Sequence, residues 1–171
     1  MRGFVAPTDF DWFRYLRAVE PPVDEVNFWK PGSEAKSFRV LDSGEPFFFK
    51  LKSPHNAIGG FGYFAHFSQL PASIAWEVYG RANGALSYLA MRQRLAHYRS
   101  RFDMDIGAKT DFSIRCFLIN ELTFFADDDW VRVPDDWSRF ETREIGWRRE
   151  LSRSERGRLI RQRRDHILVP N

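Results

Sequence analysis

Residues 44–67 read GEPFFFKLKSPHNAIGGFGYFAHF, and their patterning decides the fold. Phe47 to Lys52 opens as an unbroken apolar run and alternates only at its end. That is a strand buried on both faces at first and on one face later. Ser53-Pro54-His55-Asn56 supplies the turn residues that join it to a second long strand, Ile58 to Phe67. Gly59, Gly60 and Gly62 interrupt that strand. Each costs backbone entropy, so they mark a bulge or the close approach of another backbone or a ligand. The expectation is that Gly60 permits the bulge and that Gly62 faces a ligand cleft.

Working outward, Gly3 to Ala6 suits a short strand. Thr8 and Asp11 have capping-box spacing, so a helix should start near Asp9 and bury Phe10, Phe13 and Leu16, with Trp12 alongside. Pro21-Pro22 ends it. Val26 to Trp29 is the next strand, closed by Lys30-Pro31-Gly32, and Ser37 to Leu41 is a further extended piece. Ser73 should cap a helix through Tyr79, stopped by Gly80. Ser87 should cap a longer one through Arg99, with Tyr88, Met91, Leu95 and Tyr98 on one side. Phe112 to Phe125 reads as a strand or hairpin, Trp130 to Val133 as an edge strand, and Ser152 with Glu155 as the start of a last helix. The sum is an α+β domain with a central, curved, mostly antiparallel sheet flanked by helices.

A chain of 171 residues and 20.2 kDa, 43% hydrophobic and 16% aromatic, can pack one core and is not a disordered polymer. Its single cysteine, Cys116, excludes a disulfide framework and a multi-thiolate zinc site, and is expected to be a buried structural thiol. No apolar stretch resembles a signal peptide or a membrane span, so the expectation is a soluble, cytoplasmic protein. Of its 26 basic residues, 21 are arginine, nine of them between Arg143 and Arg164. With a net charge of +3 and a pI near 9.2, this suits a polyanionic partner without naming one.

The elements of catalysis are missing from the pattern. His55, His66, His97 and His166 are scattered without metal-ligand spacing, no phosphate-cradling glycine loop precedes a helix, and Asp127-Asp128-Asp129 reads as an acidic surface turn. No catalytic residue, metal or cofactor is therefore assigned. Reading an unstacked base needs aromatic faces and polar groups for its edge. Trp29, Phe48, Tyr63 and Trp76 could supply the faces; Lys50, His55, Asn56 and Asn83 could supply the edge contacts. Trp29, at a strand end before Lys-Pro-Gly, is the foremost candidate.

The elements FVAPTDFDWFRYL, VNFWKP, GEPFFFKLKSPHNAIGGFGYFAHF, SIAWEVYGRANGA and IRCFLINELTFF, in that order, resemble the N-terminal specificity module of bacterial HNH modification-dependent restriction endonucleases. Those modules look like members of the PUA superfamily, close to EVE and related to ASCH and SRA domains. The resemblance covers residues 1–137 and implies a curved sheet that flips a modified base of double-stranded DNA into an aromatic pocket. 5-Methyl- or 5-hydroxymethylcytosine is implied first, then N6-methyladenine. Lys30, Lys36, Arg39, Lys52 and Arg81 would then hold phosphates. Residues 138–171 would be a basic segment leading toward a nuclease domain that this sequence does not contain. The chain itself would then bind without cutting, and the whole protein could dimerise. The alternative is an RNA-binding PUA-like module acting on modified RNA.

Overall fold

The computed structural model of the chain describes residues 3–32, 40–100 and 111–133. In chain order the elements are β1 (Phe4–Thr8), α1 (Phe10–Ala18), β2 (Glu25–Pro31), β3 (Pro46–Leu51), β4 (Ala57–Pro71), α2 (Ala72–Tyr79), α3 (Tyr88–Ser100), β5 (Ser113–Phe124) and β6 (Val131–Arg132). A short 3₁₀ turn, Gly80–Asn83, joins α2 to the segment before α3. The strands form one sheet in the order β1-β3-β4-β5-β2, with β6 pairing the start of β4. Among the described residues only β1 and β3 run parallel, and the other pairings are antiparallel. The α+β expectation is met. The expected extended piece at 37–41 falls mostly outside the described residues, as do Lys36, Arg39, the Arg143–Arg164 cluster and the helix at Ser152.

β4 is the spine of the sheet, and irregular pairing curls it. Its register against β3 shifts at Gly59, and its register against β5 shifts between Phe61 and Tyr63 and again between Phe64 and His66. At the first β5 shift the extra residue lies on β5, where Glu121 takes a φ of +47°. The extra residue sharpens the local twist and bends the sheet into a half-barrel. A Cβ on Gly60 would lie 2.4 Å from the Thr123 carbonyl oxygen; one on Gly62 would lie 2.5 Å from Ile119 Cγ2 and 2.8 Å from the Asn120 carbonyl oxygen. Both glycines therefore serve the close approach of β5. The expectation that Gly62 faces a ligand cleft is overturned, because its missing side chain points into the bulged strand.

Alternation along β3 divides the core between the two faces of the sheet. Phe47 and Phe49 join Trp12, Phe13 and Leu16 of α1 with Phe28 of β2. Phe48 turns the other way, toward Val5, Ile58, Phe61 and Phe125. A third cluster, Ala72, Ala75, Met91, Leu95, Ile114 and Cys116, seats α2 and α3 against β5. Burying each large apolar side chain contributes about 1.5–3 kcal/mol. Cys116 is enclosed there; burial pushes its thiol up, outweighing the Asn27 amide that donates to its sulfur at 3.3 Å.

The helix caps differ from expectation in two places. Thr8 belongs to β1, pairs with Leu51 and donates its hydroxyl to the Ala6 carbonyl at 2.8 Å, so it has no oxygen aimed at α1. Asp9 caps the helix instead, accepting the Asp11 N–H at 3.0 Å. Ser73 does not cap α2; its N–H and hydroxyl donate to Asp111, which reaches across from the start of β5. Ser87 does cap α3, accepting the Ala90 N–H at 3.2 Å. No helix among the described residues is long and apolar enough to cross a membrane.

Candidate functional site

The N-terminus of α1, the end of β3 and the length of α3 enclose an open cleft of about 600 Å³. Asp9 and Asp11 come from α1 and Lys52 follows β3, while α3 contributes Ala90, Gln93, Arg94, His97 and Tyr98. The first two elements meet because the Lys52 N–H donates to the Thr8 carbonyl at 3.2 Å, extending the β1–β3 ladder by one bond. The α3 residues share a helix face, since positions three and four apart lie side by side.

A short polar chain closes the base of the cleft. Lys52 Nζ donates to Tyr98 Oη at 2.9 Å, and the Tyr98 hydroxyl donates to Asp9 Oδ2. Burial pushes the Asp9 carboxyl up, but the Tyr98 hydrogen bond, the attraction of Lys52, the Asp11 N–H and the attraction of Arg94 together outweigh it. The group is held below the ordinary carboxylate value. An anionic carboxylate thus sits half-buried beside cations, available as a hydrogen-bond acceptor. Arg94 spans to the Gly84 carbonyl at 2.6 Å, fixing this wall of α3 to the preceding turn. Gly84 has φ +72°, and a Cβ there would lie 2.2 Å from the Trp12 ring, so only glycine allows that turn.

The residues expected to form a base pocket are spread over three places. Trp29 and Asn83 meet, the indole N–H donating to the Asn83 carbonyl at 2.8 Å. Asn83 is wholly enclosed: its Oδ1 accepts from Asn27 at 2.9 Å and its Nδ2 donates to the Ala75 and Gly80 carbonyls. It is a strut that ties β2 to the α2–α3 turn. Trp76 packs in the same layer, its ring 6.4 Å from that of Tyr88. Phe48 and Tyr63 lie on the second face of the sheet with Phe61, and Lys50 is only 6% exposed. His55 packs tilted against Phe10, ring centres 4.2 Å apart, and edge-on to Trp130 at 5.2 Å, and Asn56 holds the turn with φ +44°.

Of the expected phosphate contacts, Arg81 is exposed with one nitrogen on the Glu20 carbonyl, and Lys30 is half-buried. Lys52 alone of the described candidates lines the cleft, and Trp29 stands behind it, 6.4 Å from the Tyr98 ring. The residues that sequence reasoning passed over are Asp9, Asp11, Gln93, Arg94, His97 and Tyr98. The only sequence signal for them was the helix start near Asp9 and the turn-by-turn spacing of 90, 93, 94 and 97.

No protein-family profile and no curated protein matches this chain. Among solved structures, the crystal structure of an ASCH protein from Zymomonas mobilis superposes with a TM-score of 0.54 at 14% identity, covering 94% of each chain. A Tyr-to-Phe variant of that protein gives 0.54 at 13% identity, covering 94% of this chain and 98% of the other. A Ser-to-Ala variant gives 0.55 at 13%, covering 94% and 96%. The fold is thus similar to that of this ASCH protein: a mixed, mostly antiparallel, curled half-barrel carrying three helices among the described residues.

Proposed function

We propose that this chain is a nucleic-acid-binding module that takes a modified base of duplex DNA into the cleft between α1, the end of β3 and α3. On this reading it binds without catalysis of its own, as the specificity part of an HNH nuclease. One observation carries it: an open cleft sets anionic acceptors, Asp9 and Asp11, against donors, Lys52, Gln93 and Arg94. Cytosine presents one exocyclic amine that a carboxylate accepts, and ring and carbonyl acceptors that amide or cationic donors satisfy. Ala90 is the aliphatic side chain of the lining, and on this reading it is the side chain that a 5-methyl or 5-hydroxymethyl group would face. The volume falls within the range of small-ligand pockets, about 300–1,000 Å³. The likeness of the fold to ASCH proteins and the basic, arginine-rich chain support the same reading.

The test is a panel of one duplex carrying cytosine, 5-methylcytosine, 5-hydroxymethylcytosine, adenine or N6-methyladenine, with a structured RNA as comparison. A modified-cytosine duplex should bind tightest, and binding should weaken with salt by about 0.9 log unit per log unit for each phosphate neutralised. Equal binding of all duplexes, a flat salt titration, or tighter binding of RNA would refute the reading.

A further inference from the structure

We infer that Arg14 is a phosphate clamp at the mouth of the cleft, held in place by Asp11 and gripping the nucleic-acid backbone beside the base that enters. The inference deepens the base-taking reading of that cleft and rests on it. Asp11 lines the cleft from α1, and Arg14, one helical turn on, sets its Nη2 3.1 Å from Asp11 Oδ1. That bond fixes the guanidinium at the edge of the cleft, and the Arg14 side chain stays 69% exposed, within reach of a large ligand.

The guanidinium has a second tie. Its central carbon lies 5.9 Å from the centre of the Phe10 ring, within the range of a cation–π attraction. Phe10 is itself packed against His55 at 4.2 Å and Trp130 at 6.2 Å, so the β3–β4 turn and the residue before β6 set this platform. α1 buries Trp12, Phe13 and Leu16, which turns Asp11 and Arg14 to the opposite side of the helix. A guanidinium carries five donor hydrogens in a planar fork, and Asp11 takes one nitrogen of it. The donors left over match the oxygens of a phosphate.

Charge explains why a clamp is needed there. Asp9 and Asp11 place two carboxylates on the α1 side of the cleft, and these repel an approaching polyanion. Lys52 donates to Tyr98 at the base and Arg94 to the Gly84 carbonyl. Arg14 cancels the Asp11 charge at the mouth and keeps donors open to solvent. An exposed ion pair of this kind adds little to folding, so stability does not account for the arrangement. Arg17, one turn further along α1, is the contrast. Its Nη1 donates to the Phe125 carbonyl at 3.2 Å and to Asp127 Oδ1 at 2.5 Å, which commits its charge to the fold.

The experiment titrates two short duplexes, identical except for one 5-methylcytosine, over a range of salt concentrations. Each phosphate neutralised adds about 0.9 to the slope of log affinity against log salt, and Arg14→Gln should flatten the slope by about that much. Taking 1 M salt as the point where counterion release contributes nothing, both duplexes should bind about eightfold more weakly at 0.1 M. Arg14→Lys keeps the charge and should restore the slope. Arg17→Gln removes the same charge from the same helix and should leave the slope as it is. The slope does not depend on the fraction of protein folded, so a destabilised variant still reports. A wild-type slope in Arg14→Gln, an equal flattening in Arg17→Gln, or a loss confined to the modified duplex overturns the clamp. The two readings fail separately. If wild type binds both duplexes alike while Arg14→Gln flattens the slope, the base-taking cleft fails and the backbone contact stands. If the modified duplex is preferred and the slope is unchanged in Arg14→Gln, the clamp fails and the cleft stands.

Discussion

Removing the Asp9 carboxylate tests the polar chain that assembles the cleft. Asp9 caps α1 through Asp11 N–H and accepts from Tyr98, which in turn accepts from Lys52. Loss of the cap costs about 1 kcal/mol. Loss of a hydrogen bond to a charged acceptor costs about 1.5–3 kcal/mol, reduced here because the group is half-exposed and solvent screens it. Asp9→Ala should therefore destabilise the domain by about 2–3 kcal/mol, or roughly 5–10 °C in Tm. Asp9→Asn keeps the cap, since asparagine serves as well, but leaves one oxygen for two donors. It should cost about 1–2 kcal/mol. Urea melts of wild type, Asp9→Asn, Tyr98→Phe and the double variant should give a coupling of about 1 kcal/mol.

The pH dependence has a definite sign. The folded Asp9 lies below its ordinary value of 3.8, so its stabilisation is complete above that value and is lost as pH falls through the folded one. The stability gap between wild type and Asp9→Asn should be constant near neutrality and close below about pH 4. An Asp9→Ala protein as stable as wild type, strictly additive variants, or a gap that widens in acid would refute the reasoning.

Two further outcomes are expected of the fold. Gly60→Ala and Gly62→Ala should each lower stability by at least about 1–3 kcal/mol, measured by denaturation, because the new Cβ meets β5 backbone oxygens that cannot swing away; DNA affinity of the folded fraction should be unchanged. Trp29→Ala should cost about 2–4 kcal/mol of stability through lost packing, whereas Trp29→Phe should cost about 1 kcal/mol for the Asn83 hydrogen bond. Wild-type stability in Trp29→Ala would contradict its place between two core clusters.

What the sequence determined by itself was local. The apolar run at Phe47–Phe49, the glycines of β4, the proline pair after α1 and the Ser87 cap each act over a few residues, so strand, bulge and helix positions could be read in order. The cap of α1 already failed by one residue, because Thr8 was claimed by pairing with β3. Which aromatic rings face a cavity was not legible. Trp29, Phe48, Tyr63 and Trp76 are alike in composition, but strand alternation and the curl of the sheet send them to different layers, where packing consumes them. Asn83 looked like a base-reading amide and is a buried strut, since its partners lie as far off in sequence as Asn27. The cleft itself joins Asp9, Lys52 and Tyr98, residues separated by more than forty positions at each step. No spacing rule connects them; only the docking of α3 against the α1–β3 junction sets one hydroxyl between a carboxylate and an ammonium. Local patterns encode elements because hydrogen bonding and side-chain periodicity are short-ranged, whereas a site depends on which distant surfaces burial finally brings together.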